Sequence, residues 1–396
     1  MKYILLHIFV WVSSLLYSQS WVQLTDYTGS SRDDGTTFVI NTKAYCVTGL
    51  ENGWQCNRNG FVFDANTETW SSIVPLPLGD ERQYAIGFSH NNMGYILGGI
   101  NCNNVALNDF WQYNPTTDAW IQLPNFPNAG RFGMSYFIIK NKLYVLGGKL
   151  VDNSNLNEVW EYNFVTTTWV QKNNIPTSMW RGSGFSIDTI GYVCLGINNT
   201  GYNHLLYRYN YVADTWASFS TIHLPALTYI STAVCNNKGI LYGGQDSLGN
   251  ITNSVQVFNP SDSSMIIKSG VPTFGRKGCM PFSINDIFYI TTGFGGSGRI
   301  KETWKNVDLV GIKQLDVDSE LIKIYPNPAN EFLEINYLSN EPTVIEITNA
   351  FGQVVLSQIV LTKNSRLKTD NLINGIYYLV LKTNDKVIKR KIIIQR

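Results

Sequence analysis

Residues 131–169 read RFGMSYFIIKNKLYVLGGKLVDNSNLNEVWEYNFVTTTW and contain one complete unit of a repeat. The unit opens with Arg131, ends an apolar run at Gly148, and reaches Trp169 21 residues after that glycine. The same order of arginine, glycine and tryptophan recurs at intervals close to 49 residues. One such unit cannot bury its own apolar face, so a repeat of this length predicts a ring or array of packed units.

The markers of the repeat are regularly spaced. The glycine follows the arginine by 17 residues in every complete set except the fourth, where the offset is 15. The arginines are Arg32, Arg82, Arg131, Arg181 and Arg276, the glycines are Gly49, Gly99, Gly148, Gly196 and Gly293, and the tryptophans after the first four glycines are Trp70, Trp120, Trp169 and Trp216.

Each unit contains four short strand-like segments and no helical periodicity. A first strand follows the arginine, and a second, such as residues 144–146, ends at the glycines. A third strand, such as residues 110–113, is closed by an Asn114-Pro115 turn, and the fourth begins at the tryptophan. This pattern is typical of one blade of an all-β propeller.

The number of strand starts predicts how the ring closes. Six first strands and six fourth strands can be counted, and Trp21 stands 49 residues before Trp70, in phase with the other tryptophans. No fourth strand that begins with a tryptophan in this phase follows the last glycine, Gly293. We therefore expect the N-terminal strand at residues 21–24 to complete the last blade of a six-bladed propeller, because closure leaves no unpaired edge. Seven blades are the main alternative.

These markers resemble the Kelch repeat family over residues 21 to about 310. The arginine, the glycine pair, the aromatic Asn-Pro turn and the tryptophan recur in order. The fifth unit departs most, with Leu227 at the arginine offset and Met265 where the tryptophan is expected. The resemblance implies a propeller at residues 19–310, with variable loops on one face that are suited to binding.

The N-terminus predicts export. Met1 and Lys2 precede an apolar run from Ile4 to Leu16 that ends in small polar residues. This arrangement is typical of a secretory signal peptide of residues 1–18, with residues 1–20 as the alternative. We therefore expect Sec export to the periplasm.

A different module follows the repeats. Residues 311–318 are expected to be a linker, and the alternating apolar segments of residues 319–396 predict a small Ig-like antiparallel β-sandwich. The module resembles the C-terminal sorting domain of the type IX secretion system of Bacteroidetes. The residues that carry this resemblance are Tyr325, Pro326, Asn327, Pro328, Gly375, Tyr377, Lys389, Arg390 and Lys391. It implies recognition of residues 319–396 by the type IX machinery and a secreted or outer-membrane surface location.

Composition excludes several function classes. With a net charge of +1 and 15% charged residues, the chain lacks the basic stripe of a nucleic-acid-binding protein. No segment after the leader has the roughly 18 apolar residues of a membrane helix.

The cysteines divide into two groups by position. Cys56 and Cys102 fall in loops that a ring would place side by side, so they are a candidate disulfide, with free thiols as the open alternative. The other four lie in apolar strands and are expected to be small buried thiols: Cys46, Cys194, Cys235 and Cys279.

No motif predicts a cofactor or metal. His90, His204 and His223 are too few and too scattered for a copper oxidase site like that of some Kelch proteins. Other Kelch proteins are sialic-acid mutarotases, which need an acid–base pair at the channel mouth. The carboxylates beside the arginines, namely Asp33, Asp34, Asp80 and Glu81, are expected to be solvated loop charges instead.

The five arginines of the repeat are the candidate ligand-binding residues. At this offset in peptide-binding Kelch domains, arginines face the channel mouth, where a guanidinium can hold a carboxylate. A structural role in each blade is the competing interpretation. Aromatic residues that could add stacking surfaces are Tyr84, Phe132, Tyr136 and Trp180.

The sequence thus predicts a non-catalytic propeller that binds a glycan or a protein. The alternatives are a carbohydrate-active enzyme of the mutarotase kind and a structural subunit of a surface assembly.

Overall fold

The structure is a computed structural model that describes residues 21–219, 224–310, 322–337, 343–349, 353–360, 364–382 and 387–395. The predicted signal peptide and linker lie outside the described residues, as does His223. The chain divides into two compact units, with the boundary between Ile312 and Lys313. Across the described ranges, no helix is long and apolar enough to cross a membrane.

The first unit is a six-bladed propeller, which confirms the predicted fold. Each blade is a four-stranded antiparallel sheet whose first strand lines the central channel. The strands of blades one to three are Thr36–Ile40, Lys43–Val47, Gly60–Asp64 and Thr69–Ile73; Ile86–His90, Met93–Leu97, Phe110–Asn114 and Ala119–Leu123; and Ser135–Ile139, Lys142–Leu146, Val159–Asn163 and Thr168–Lys172.

The remaining blades follow the same plan. Their strands are Ser183–Ile187, Ile190–Cys194, Leu206–Asn210 and Thr215–Ser218; Ser231–Cys235, Lys238–Tyr242, Ser254–Asn259 and Ser264–Ser269; and Met280–Ile284, Ile287–Thr291, Thr303–Asn306 and Trp21–Leu24. Additional two-residue strands form three small sheets on the face at which the second strands of the blades end. They are Arg32–Asp33, Leu50–Glu51 and Gln55–Cys56; Ile197–Asn198 and Gly201–Tyr202; and Arg276–Lys277, Phe294–Gly295 and Gly298–Arg299.

The N-terminal strand closes the ring as the sequence predicted. Trp21 pairs with Asn306 and Leu24 with Thr303, so this strand is the outermost of blade six. The Trp21 indole packs on Tyr242 and Phe288 with ring centroids 6.1 and 6.2 Å apart. Its Nε1 donates to the Ser269 carbonyl at 3.4 Å, so Trp21 ties blade six to blade five.

Packing between the first two strands explains why the repeat is rich in aromatic residues. In blade one, Phe38 stacks on Tyr45 across the strand pair with an interplanar angle of 8°. Blades two, three, four and six have the same stacked pair, whereas blade five has Ala233 opposite Ile240. Such cross-strand pairs add packing energy beyond their buried area.

The second unit is a two-sheet sandwich, also as predicted. One sheet contains Ile322–Tyr325, Phe332–Tyr337 and Asn364–Lys368. The other contains Thr343–Thr348, Val354–Val360, Gly375–Lys382 and Val387–Ile394. Buried aliphatic residues from both sheets form the core, among them Leu333, Ile335, Ile345, Ile347, Leu367, Leu379 and Ile392.

We predict that ring closure depends on the buried face of the N-terminal strand. Trp21→Ala removes a buried indole and should cost about 3–5 kcal/mol in the free energy of unfolding. Val22→Ala, on the exposed face of the same strand, should change it by no more than about 0.5 kcal/mol. Denaturant midpoints followed by fluorescence measure both. Equal, small effects of the two substitutions would contradict closure through Trp21.

Candidate functional site

Six residues form a ring of backbone around the mouth of the channel. We name them the mouth ring, and they are Asp34, Tyr84, Gly133, Arg181, Tyr229 and Gly278. They lie 48 to 50 residues apart in the sequence, one before each blade. Each takes a positive φ, between 53° and 63°.

Backbone hydrogen bonds join neighbours in the mouth ring. Tyr84 N–H donates to the Asp34 carbonyl at 3.0 Å, and Gly133 N–H donates to the Tyr84 carbonyl at 3.0 Å. Asp34 N–H donates to the Gly278 carbonyl at 2.8 Å, and Arg181 N–H donates to the Gly133 carbonyl at 2.9 Å. The blades themselves therefore fix the direction of the mouth-ring side chains.

The two glycines of the mouth ring make room for neighbouring side chains. A Cβ at Gly278 would lie 2.4 Å from an Asp34 carboxylate oxygen, and one at Gly133 would lie 2.6 Å from the Trp180 indole nitrogen. Both positions also have the positive φ that glycine accommodates without steric cost. The side chains that occupy the mouth are therefore those of the other four members.

Four of the five arginines predicted for the rim do not line the mouth cavity. Arg82 is fully buried and forms a two-pronged ion pair with Asp109, with N···O distances of 2.6 and 2.7 Å. Trp111 Nε1 donates to the same carboxylate at 2.7 Å. The other three are buried, and each forms a single-contact ion pair, namely Arg32–Glu51 at 2.8 Å, Arg131–Glu158 at 2.9 Å and Arg276–Glu302 at 2.7 Å.

Arg181 is different because it does not occupy the arginine position of the repeat. In the other blades that carry the arginine, its carbonyl accepts a hydrogen bond from the glycine N–H of the preceding blade, as Arg82 does from Gly49. In blade four, Met179 accepts the equivalent bond from Gly148. Counting Arg181 as a fifth member of one set was therefore wrong: it lies two residues later, in the mouth ring.

Aromatic rings surround the Arg181 guanidinium. Its Cζ lies 3.8 Å from the ring centroid of Tyr229, 3.9 Å from that of Trp180 and 4.3 Å from that of Tyr84. One terminal N–H donates to the Tyr229 hydroxyl, and the buried Nε has no hydrogen-bond partner. Burial lowers the pKa of Arg181. Within the described part of the chain, no carboxylate forms a salt bridge with it.

Asp33 and Asp34 correct another expectation, since both are buried rather than solvated. Asp33 accepts a hydrogen bond from Arg299 Nε at 2.6 Å, and this salt bridge compensates its charge. Burial raises the pKa of Asp34 to about 7, with the Asp33 charge adding to the effect. Tyr84, whose own pKa burial raises, is hydrogen-bonded to the Asp34 carboxylate. Asp80 and Glu81 are partly exposed, and they form salt bridges with Arg82 and Arg58, respectively.

Cations outnumber available anions at the mouth. Lys277 Nζ lies 4.7 Å from the Tyr229 ring centroid and donates to the Gln245 side chain at 2.6 Å. Lys149 Nζ lies 4.2 Å from the Trp180 ring centroid. Asp33 is paired, and Asp34 holds a proton up to a pH of about 7. The mouth therefore carries an excess of positive charge that suits an anionic ligand.

The mouth opens into a cavity of about 200 Å³ lined by the mouth ring and the first strands. A second cavity of about 340 Å³ continues along the channel and shares Thr37, Tyr136 and Thr232 with the first. Sites for larger organic ligands are typically about 300–1,000 Å³, so the mouth cavity suits one small ligand. In the part of the chain that is described, no group of three or more metal-ligating side chains occurs.

The predicted stacking residues have separate places. Tyr84 and Trp180 contact the Arg181 guanidinium, and Tyr136 lines the cavity wall. Phe132 packs edge-on against Trp180, with ring centroids 6.2 Å apart. Tyr229 and Lys277 were missed by the sequence argument, although Tyr229 stands 48 residues after Arg181 and 49 before Gly278.

The structure joins Cys56 and Cys102 in a disulfide between the loops of blades one and two. The other four cysteines are free and buried, as the apolar strands around them indicated. Burial raises the pKa of Cys46 and Cys235 to about 12, so these thiols are unreactive structural groups.

In the second unit, the motif residues meet at one edge. The Asn327 side chain donates to the Lys391 carbonyl at 3.1 Å and accepts from Ile393 N–H at 2.8 Å. Lys389, Arg390 and Lys391 lie on the last strand, which ends its sheet. The Tyr377 side chain is buried in the core. The motif at residues 325–328 therefore holds the basic strand in place.

Comparison with known families confirms both parts of the predicted resemblance. Residues 94–276 match the family model of the Attractin/LZTR1 beta-propeller, and residues 323–395 match that of the secretion system C-terminal sorting domain. The sorting domain indicates export by the type IX system to the cell surface or beyond it.

Individual relatives match only short segments. N-acetylneuraminate epimerases of Shigella flexneri and Escherichia coli (strain K12) are each 33% identical over 82 residues, which is 20% of this chain and 22% of each relative. An F-box/kelch-repeat protein of Arabidopsis thaliana is 25% identical over 93 residues, 24% of this chain and 22% of that protein. The chain therefore spans little more than a fifth of the length of these curated relatives.

A solved structure shows the same fold. The structure of YjhT has a TM-score of 0.61 and 16% identity, and the match covers 73% of this chain and 98% of that one. At this identity, the likeness establishes the propeller architecture alone.

We predict that two arginines contribute very differently to stability. Arg82→Met leaves the Asp109 carboxylate buried without its partner, which should cost about 3–5 kcal/mol in the free energy of unfolding. Arg181→Met leaves no paired carboxylate behind, and Asp34 can keep its proton, so the cost should stay below about 1 kcal/mol. Urea denaturation at neutral pH measures both. Equal losses would show that Arg181 is as structural as Arg82.

Proposed function

We propose, from the premise that this chain is a Kelch-type β-propeller followed by a type IX C-terminal sorting domain, that the exported propeller binds a carboxylate-bearing sugar at its channel mouth. The observation that carries this proposal is Arg181, a largely buried cation that forms no salt bridge with a carboxylate of the described residues, although Asp34 and Asp33 lie close enough to oppose the lowering of its pKa by burial. Its Nε–H is buried and unpaired.

An unpaired buried donor is a reason to expect a ligand. Leaving such a group without a partner costs about 1–3 kcal/mol, and more for a charged one. A carboxylate can accept two parallel hydrogen bonds from a guanidinium and supplies the missing charge. Lys149 and Lys277 add to the attraction.

The walls of the site favour a sugar as the carrier of that carboxylate. Tyr84 and Tyr229 line the mouth cavity of about 200 Å³ beside Arg181, and this volume suits a single small ring. Aromatic faces attract the partly positive C–H groups of a sugar ring. The relatives named N-acetylneuraminate epimerase are named for a sugar of this class, an acidic one.

The small cavity favours this proposal over the two protein-binding interpretations. A protein interface normally needs about 1,000 Å² of complementary surface, so a protein partner would have to contact the surrounding loops as well, whereas a small sugar needs only the mouth. We therefore assign the mouth to a small acidic sugar, and we assign the four paired arginines to blade structure.

Binding to N-acetylneuraminate tests the role of Arg181. Arg181→Ala should weaken binding by about tenfold to a hundredfold, because a charge-assisted hydrogen-bond pair is lost. Arg208→Ala, at an exposed arginine on the third strand of blade four, is the matched control and should leave affinity unchanged. Isothermal titration calorimetry with the purified chain gives both values, with the methyl ester of the sugar as the neutral ligand.

Two results would contradict the proposal. One is equal affinity for the acid and its methyl ester, since the Arg181 guanidinium would then not bind the carboxylate. The other is unchanged binding in the Arg181→Ala protein.

A second candidate function is mutarotation of the bound sugar, and the observation that favours it is Asp34. With a pKa of about 7, this carboxyl can accept and return a proton near neutral pH. Asp34 would take the proton of the anomeric hydroxyl while a water molecule protonates the ring oxygen. The C–O bond of the ring then breaks, and reclosure on the other face with the protons returned gives the other anomer.

The pH dependence of anomer exchange tests this second function. Asp34 must be ionised to act as the base, so the rate should rise between about pH 6 and pH 8 and then level off. Asp34→Asn should remove both the acceleration and its pH dependence. Exchange NMR on the two anomers of N-acetylneuraminate measures the rate. A wild-type rate equal to that in buffer alone would reject catalysis and leave the binding proposal standing.

A further inference from the structure

An exposed tryptophan stands beside the mouth on the same face of the propeller. Trp54 lies in the turn that joins Leu50–Glu51 to Gln55–Cys56, and its side chain is 76% exposed. Its φ is +59°, and that of Gly53 before it is +79°.

This placement brings no evident gain to folding. An indole contributes to stability by being buried, and this one is not. The positive φ of Trp54 belongs to the hairpin turn, a position that glycine, asparagine or aspartate usually fills. A small polar residue would suit the turn better, so the tryptophan points to an interaction outside the chain.

The turn that carries Trp54 is held rigidly. Leu50 pairs with Cys56 and Glu51 with Gln55 in a short antiparallel hairpin. The hairpin is tied to blade two by the Cys56–Cys102 disulfide and to blade one by the Glu51 salt bridge with Arg32. A fixed aromatic platform loses little entropy when a ligand stacks on it.

Two contacts connect the platform to the mouth. The Arg299 guanidinium carbon lies 5.3 Å from the Trp54 ring centroid, and Arg299 Nε donates to the Asp33 carboxylate at 2.6 Å. Asp33 directly precedes Asp34 of the mouth ring. Arg299 thus supports the indole from the side of the mouth, and the high exposure of Trp54 leaves ring surface open to solvent.

We propose that Trp54 is an outer sugar subsite, so that the ligand is the acidic end of a glycan chain. The terminal acidic sugar occupies the mouth, and the next sugar stacks on the Trp54 indole. This inference rests on the proposed binding function and extends it from a free sugar to a linked one. Because a linked anomeric carbon cannot open its ring, it also favours binding over mutarotation.

The surroundings of Trp54 fit a sugar better than a protein partner. Its neighbours Asn52, Gly53 and Gln55 are exposed and small or polar. Amide side chains can hydrogen-bond to sugar hydroxyls, whereas the core of a protein interface is an apolar patch. A single indole between amides is not such a patch.

A comparison of two probes on the full chain tests the subsite. N-acetylneuraminate reaches only the mouth, whereas 3′-sialyllactose carries a second sugar that can reach Trp54. Wild-type protein should bind the trisaccharide about fivefold to tenfold more tightly than the monosaccharide. Trp54→Ala should abolish that difference and leave the monosaccharide affinity unchanged. Val105→Ala, at an exposed apolar residue in the neighbouring loop, should change neither value.

The outcomes separate this inference from the function on which it rests. Equal wild-type affinities for both probes, unaffected by Trp54→Ala, would overturn the subsite and leave mouth binding intact. A glycan array on which acidic sugars fail but Trp54-dependent binding of a neutral chain persists would overturn mouth binding and the acidic ligand, and would leave only the contact between Trp54 and a sugar. Absence of binding to both probes and to the array would overturn both.

Discussion

The buried pairing of an arginine with a carboxylate is the constraint that organises four of the six blades and the ring of backbone between them. In blade two, the Arg82 guanidinium satisfies Asp109 and the Gly98 carbonyl, while its own carbonyl accepts from Gly49 of blade one. One residue thus joins strands within a blade and joins that blade to its neighbour. Because a buried charge is tolerated only when it is paired, each such position is fixed in geometry. The mouth ring lies two residues further along and inherits that order.

Function becomes possible where this rule is relaxed. Blade four has Met179 at the paired position and places its arginine at the mouth, so Arg181 is held by aromatic rings and no carboxylate of the described residues neutralises it. Burial raises the pKa of Asp34 to about 7, so this carboxyl is only partly ionised at neutral pH, and it forms no salt bridge with Arg181. The propeller therefore contains four arginines paired with carboxylates, which stabilise it, and one arginine without a salt bridge, Arg181, which can bind an anion.

The period of the repeat was enough to predict the blade count and the closure by Trp21, because these depend on strand spacing alone, and the sorting module was predicted from its own motifs after the repeat ends. The site was less accessible. The 15-residue offset of Arg181 was visible in the sequence, but its meaning required alignment on the glycines, which places Met179 with the other arginines. The burial of Asp34 depends on Tyr84, Arg181 and Gly278, which come from three other blades. The residues next to Asp34 in the sequence predicted a solvated carboxylate, because they do not show which residues of other blades pack against it.

The most direct test of the account is the NMR signal of the Arg181 side chain during titration with N-acetylneuraminate. The signal of its Nε–H can be assigned by its loss in the Arg181→Lys protein. Because this group is buried and without a hydrogen-bond partner in the free protein, we expect a downfield proton shift and slower exchange with water as the carboxylate binds. A signal that stays unchanged while resonances elsewhere shift would show that Arg181 does not contact the ligand.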